Sequence, residues 1–251
     1  MNIHDITDLN NRIIRYACWD NVKTHIGTVQ IIKTIDDDIQ NYSEFADLLN
    51  AHGYVVVGNT NTNYGTDFNA DIYDEISILE HIYRKYARPT IIIGRGYGNT
   101  IARHVMQRTK LCCAGIYMDD MFKYSKIKTA IGCAIAYLGK SICGANAQIE
   151  RTIPKQINKN KLTMQQYHSI MSGMMNKNDM KYTDTPMLII NNTNNICSIG
   201  NMLNKKLYKT HNYHELENLT FVLYPDTCDL FGKYVNDIKH DVIMFLNKVQ
   251  T

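Results

Sequence analysis

Three glycines spaced two apart, Gly94, Gly96 and Gly98, follow the β-branched run Ile91-Ile92-Ile93 and lead into helix-compatible residues from Asn99 to Arg103. A strand, a very tight turn and a helix in this order can do chemistry. Glycine accepts backbone angles closed to other residues and lets neighbouring backbone approach closely. In the G-x-S-x-G nucleophile elbow, a strained turn lifts a serine above the sheet for acyl transfer. In the G-x-G-x-x-G dinucleotide turn, the helix N-terminus receives a pyrophosphate. This sequence reads G-x-G-x-G, with Gly96 in the place of the serine and Asn99 in the place of the third glycine. Asp119, ending the next strand, stands where a ribose-binding acid would belong in the dinucleotide arrangement.

Other residues could carry chemistry of their own. Arg95 and Tyr97 flank Gly96 and could bind an anion at the start of the helix. Asp36-Asp37-Asp38 could hold a hard cation, but calcium needs about six to eight oxygen ligands and a short acidic run is ordinarily a solvated loop. Neither a metal nor a cofactor is expected. Cys228 lies beside Asp229 without the base or cationic neighbour that would turn it into a thiolate. His52, His81 and His104 fall in helical segments, where surface or helix contacts are expected.

The elements that must position these groups are legible from periodicity. Thr28 to Ile32 and Tyr54 to Val57 read as buried strands, and Asn41 with Glu44 resembles a capping box for a short helix through Phe45, Leu48 and Leu49. Ile72, Ile76, Leu79, Tyr83 and Tyr86 recur at helical spacing. Cys113 to Met118, Met187 to Ile190 and Leu219 to Tyr224 are further strands, and Val235, Ile238, Val242, Phe245 and Val249 mark a closing helix. The first residues form a polar lead-in. Strands alternating with helices imply a mostly parallel sheet covered on both faces, whose ligand site lies at the carboxyl ends of the strands. Between Asp120 and Tyr182 the rhythm breaks, and 129–147 is a run of small and apolar residues read as a helix over the sheet, with membrane contact through it as the lesser alternative.

Composition narrows the classes. The 251 residues suffice for one full α/β core, and a formal net charge of +3 without a dense basic-aromatic run gives no support for nucleic-acid binding. Seven cysteines without C-x-x-C spacing read as reduced thiols in a cytoplasmic protein. The N-terminus lacks the features of a signal peptide.

Taken in order, Tyr42 to Leu49 with Gly53 to Val57, Pro89 to Ala102, Ala114 to Met118, Thr185 to Asn195 and Leu223 to Asp229 resemble the monoacylglycerol lipase and lysophospholipase family, particularly its poxvirus members. The resemblance covers nearly the full length. It implies a single α/β-hydrolase domain over residues 1–251, with a shortened cap at about 121–182, and in a working relative a serine hydrolase of monoglycerides or lysophospholipids. It also implies that the triad is degenerate. The nucleophile falls on Gly96, the acid on Asn195 and the histidine on Asp229, while the early His-Gly falls on Lys33-Thr34. Gly96 has no attacking atom, and a carboxylate of reference pKa about 3.9 is a far weaker base than an imidazole of about 6.5. An acid-to-amide change costs about 10⁴ in kcat in the serine-protease case. Backbone N–H groups of Ile35 and Tyr97 would form the oxyanion hole, and Lys33, Thr34, Arg95, Tyr97 and Asn99 would line a ligand pocket. The expected role is binding of a lipid-like molecule or a protein partner. A divergent active lipid esterase and an anion or nucleotide binder on the Gly94–Gly98 turn remain the alternatives.

Overall fold

The computed structural model describes residues 1–8, 11–35, 37–119, 126–149, 162–175, 185–192, 213–216, 218–225 and 232–250. Its strands are β1 (Asn2–Thr7), β2 (Ile13–Trp19), β3 (Gly27–Ile32), β4 (Tyr54–Asn59), β5 (Thr90–Arg95), β6 (Cys112–Met118), β7 (Gln148–Ile149), β8 (Leu162–Thr163), β9 (Met187–Asn192), β10 (Tyr213–Leu216) and β11 (Leu219–Tyr224). Nine of them form one sheet in the order β1-β2-β4-β3-β5-β6-β9-β11-β10, while β7 and β8 pair separately. From β4 to β11 the neighbours run parallel, and β1, β2 and β10 join antiparallel at the two edges.

The helices are α1 (Ser43–Ala51), α2 (Phe68–Tyr86), α3 (Tyr97–Arg108), α4 (Lys126–Cys143), α5 (Met164–Met175) and α6 (Val235–Gln250). Side chains alternate across each strand, so each central strand feeds two cores. Val29, Ile31, Ile91, Ile93 and Ile116 face α1 and α6, where Phe45, Leu49, Ile238 and Val242 meet them. Ile32, Ile92, Tyr117 and Ile189 face α2, α3 and α5, meeting Ile72, Leu79, Ile101, Val105 and Ile170. Both faces of the parallel strands are therefore buried, which is why these strands read as continuous apolar runs.

Three local readings are corrected. The polar lead-in is the hairpin β1–β2, tied to α2 where Arg12 Nη2 donates to Asp74 at 2.8 Å. Asn41 and Glu44 do not form a capping box. Instead a 3₁₀ turn, Ile39–Tyr42, runs into α1, and Asp38 accepts from the Gln40 N–H to start it. On α2 the buried face includes Asp71, Glu75, Ile78 and Ile82, whereas Tyr83 is 39% exposed. The helix is rotated from the face that Ile72, Ile76, Leu79 and Tyr83 suggest.

Helix α2 starts on Asp67, whose carboxylate accepts from the N–H groups of Asn69 and Ala70. It ends on Ala87, held in the left-handed region at φ 52°. A Cβ is unfavourable there, and glycine is the usual residue at this position of a helix end. Ala87→Gly is therefore expected to raise the unfolding free energy by about 0.5–1 kcal/mol. Equilibrium urea unfolding checks this, and an unchanged or lowered midpoint would mean that the helix does not end in this conformation.

Candidate functional site

The chain order places the site. After β3 the chain moves outward to β4, then crosses back to β5 on the other side of β3. The carboxyl ends of β3 and β5 are therefore a topological switch point, where loops diverge and open α/β sheets bind ligands. Ile32 and Gly94 are paired at the ends of the two strands, so Lys33-Thr34 and Arg95-Gly96 leave the sheet side by side.

The turn after β5 has the backbone of a nucleophile elbow. Gly96 sits at φ 54° and ψ −116°, a strained conformation that glycine tolerates. The flanking glycines are required by closeness. A Cβ at Gly98 would stand 2.0 Å from the Ile32 carbonyl oxygen, and one at Gly94 would stand 2.8 Å from the Asn99 Cα. The Gly96 N–H donates to the Met118 carbonyl at 3.2 Å, and Asn99 Nδ2 donates to the same oxygen at 2.7 Å. The elbow is thereby fastened to the end of β6.

Where a catalytic serine would project, this structure has another group. A Cβ added at Gly96 would meet Thr34 Oγ1 at 2.9 Å and Thr34 Cβ at 3.2 Å. The same hydroxyl accepts from the Tyr97 N–H at 3.4 Å. The amide expected to serve an oxyanion is thus directed at a side chain of the protein. Ile35, the other residue expected there, is buried, with its side chain against Gly65.

The remaining pocket candidates are also engaged. Arg95 Nη1 pairs with Asp37 Oδ2 at 2.6 Å, and the Tyr42 hydroxyl donates to that oxygen at 2.7 Å. Arg95, expected to offer its charge to an anion at the helix start, thus already holds a carboxylate of the protein. The carbonyl oxygens of Ile32 and Lys33 crowd the first turn of α3 at Gly98, which also disfavours an anion. Asn99 is fully buried in its bond to Met118. Lys33 is buried with its ammonium 4.9 Å from the centre of the Tyr64 ring, and burial lowers its pKa.

Tyr97 belongs to a buried polar network that periodicity alone did not reveal. Its hydroxyl donates to Asp71 Oδ2 at 3.0 Å and lies 3.5 Å from Ser169 Oγ on α5. The Gly65 N–H donates to the same Asp71 oxygen at 2.8 Å. One turn along α2, Glu75 Oε2 accepts from Gln30 Nε2 at 2.6 Å. Desolvation pushes Asp71 up to about 7 and Glu75 up to about 8, so Glu75 is largely protonated at neutral pH. The only trace in the sequence is that Asp71 and Glu75 are in helical line with Ile78 and Ile82, a spacing that does not by itself say which side of the helix is buried.

Of the other candidates, Asp37 is paired with Arg95 and Asp38 caps the 3₁₀ turn, while Asp36 lies outside the described residues. Asn195, Cys228 and Asp229 lie outside them too. Asp119 follows β6 at φ 55°. His104 is buried and packs edge-on against Phe68, His81 stands by Tyr16, and His52 bonds the Leu48 carbonyl.

No protein-family profile matches the sequence, and no curated protein matches it either. Solved structures do match in shape. A lipase in its open form aligns over 100% of both chains at TM-score 0.76 and 13% identity. A thermostable carboxyl esterase from Bacillus coagulans does so over 100% of both at TM-score 0.72 and 13% identity. A soluble variant of the monoglyceride lipase from Saccharomyces cerevisiae, in complex with a substrate analog, aligns over 95% of this chain and 92% of its own at TM-score 0.69 and 15% identity. The chain has the α/β-hydrolase fold.

The raised carboxyl pKa values predict a pH dependence of stability. Between about pH 4.5 and about pH 8 folded Glu75 keeps a proton that the unfolded chain has released, so its contribution falls as pH rises through that window. Glu75→Gln retains an acceptor for Gln30 and removes the titration. It is expected to flatten the fall and to gain on the order of 1–3 kcal/mol over the wild type at about pH 8. Urea titrations at several pH values check this, and identical slopes in both proteins would mean that Glu75 ionises normally.

Proposed function

We propose that this α/β-hydrolase-fold protein does not work as a serine hydrolase and acts by binding, with a lipid-like molecule or a protein partner engaging the region around the elbow. One observation carries the reading. The Thr34 hydroxyl lies over Gly96, 2.9 Å from where a side chain would begin, and takes the Tyr97 N–H at 3.4 Å. Acyl transfer needs a nucleophile within hydrogen-bond reach of a base, and backbone donors aimed at the developing oxyanion. Gly96 provides no nucleophile, and the Tyr97 donor is directed elsewhere. The resemblance of Asn195 and Asp229 to the acid and histidine positions of monoglyceride lipases supports the same reading, since neither residue type replaces the imidazole relay.

The names of the structural neighbours, a lipase, a carboxyl esterase and a monoglyceride lipase, make acyl lipids the first ligands to try. The purified wild type is expected to show no hydrolysis of a monoacylglycerol or a short-chain nitrophenyl ester, and no labelling by a fluorophosphonate. A labelled residue, mapped by peptide analysis, would name a working nucleophile and overturn the reading. Gly96→Ser alone is expected to stay at the wild-type background. The resemblance puts Asp229 where its hydroxyl would need an imidazole, its backbone would be strained, and Thr34 would crowd it. Turnover of the short-chain ester by this variant above background would place a base and an acid elsewhere in the protein.

A further inference from the structure

Two cations leave the sheet side by side at the switch point, Lys33 after β3 and Arg95 at the end of β5. Arg95 holds Asp37 at 2.6 Å. Lys33 holds no carboxylate among the described residues, and its ammonium instead lies 4.9 Å from the centre of the Tyr64 ring. The residue is only 4% exposed. Tyr64 reaches it from the segment joining β4 to α2, where Thr62 and Asn63 are exposed, so Lys33 lies beneath a surface segment. The first half of that segment is held by short-range bonds, from the Asn61 N–H to Asn59 Oδ1 at 2.8 Å and from the Asn63 N–H to Asn61 Oδ1 at 2.9 Å.

Tyr64 packs in one apolar cluster with Ile35, Phe68 and Tyr97. An ammonium moved into such surroundings loses its water, and without a contacting carboxylate the neutral amine gains ground. Burial accordingly lowers the Lys33 pKa, against the opposing charges of Glu75 and Asp71 on α2 and of Asp37 and Asp38 after β3. A desolvated lysine is a nucleophile toward carbonyl carbon, in a region where Gly96 offers none. The surroundings select what it attacks. Displacing the alkoxide of an ester passes through an oxyanion, and the Tyr97 N–H expected to hold it is directed at Thr34. An aldehyde has no alkoxide to lose and needs only to give up water. The surrounding acids disfavour an anionic aldehyde, and the aromatic and aliphatic walls accept an alkyl chain.

We propose that Lys33 is a covalent capture site for uncharged alkyl aldehydes, which it holds as an imine. The amine lone pair forms the C–N bond as the C=O π pair moves to oxygen, and a proton passes from nitrogen to that oxygen. The hydroxyl takes a further proton and leaves as water, and the iminium gives a proton back. One amine and one aldehyde thus yield one imine and one water. Glu75, protonated at neutral pH and facing Tyr64 in the same region, is the acid at hand. The proposal rests on the reading of the elbow region as a binding site. Its readout, an adduct on Lys33, is separate from the ester and fluorophosphonate assays that test that reading. The wild type is incubated with hexanal and cyanoborohydride at about pH 7, which reduces the iminium to a stable amine, and adducts are mapped by peptide mass. Lys33 is expected to be modified at least about fivefold faster than the exposed Lys23 and Lys110, and to fall to their rate in urea-unfolded protein. Glyoxylate, an anionic aldehyde, is expected to give Lys33 no such lead. Lys33→Arg keeps the charge and is expected to lose this adduct alone. A Lys33 that reacts no faster than the surface lysines, keeps its lead in urea, or takes glyoxylate as readily as hexanal would overturn the proposal. Each of these outcomes is read on the wild type, whether or not the variant folds.

Discussion

The closeness of the α3 backbone to the end of β3 constrains the rest of the site. With the Ile32 carbonyl oxygen only 2.0 Å from where a Cβ at Gly98 would stand, no larger residue fits without moving helix or strand. That contact seats the first turn of α3 directly on the sheet, and the chain leaving β5 must reverse sharply to reach it. Gly96 absorbs the reversal at φ 54°. Once the turn is set, Tyr97 points toward Asp71 on α2, and Asn99 reaches the Met118 carbonyl on β6. The frame is a property of backbone packing and does not depend on a reactive side chain at its apex. The same turn would stand with or without a side chain at position 96.

The groups around this frame have been drawn into the protein's own contacts. Lys33 turns inward over Tyr64, Thr34 lies over the elbow, and Arg95 closes on Asp37. Beneath them the acids of α2 are buried with few compensating charges, so desolvation dominates their protonation. Gln30 Oε1 finds no hydrogen-bond partner among the described residues, while the Tyr64 hydroxyl and the Glu75 carboxyl face one another in the same buried region. A buried polar group left unpaired costs stability, which the apolar packing around this region offsets.

The segment containing α4 follows a different physical rule. In the main body, strands and helices bury their apolar sides against one another, and exposed positions are mostly polar. On α4 the apolar side is the exposed one, with Ile135, Tyr137, Leu138 and Ile142 outward. Among the described residues no helix, α4 included, is long and apolar enough to cross a membrane.

The sequence by itself determined the alternating strands and helices, the glycine turn between β5 and α3, and the fold class. These rest on short-range facts: β-branched runs bury on both faces of a parallel sheet, helical spacing gathers an apolar side, and glycines mark the sharp reversal. It did not disclose the edge strand β1, whose residues alternate only between exposed and half-buried, or β2 beside it, where exposed Ile13 and Arg15 precede the buried run. Nor did it show that Asp71 and Glu75 face the core, since helical spacing admits more than one rotation and the neighbouring α3 and α5 fix which one is adopted. Tertiary structure alone decided that Thr34 covers Gly96 and that Arg95 belongs to Asp37, pairs about sixty residues apart along the chain. Their meeting depends on β5 returning to the far side of β3, and such strand order is set by the closure of the whole sheet and not by any local pattern.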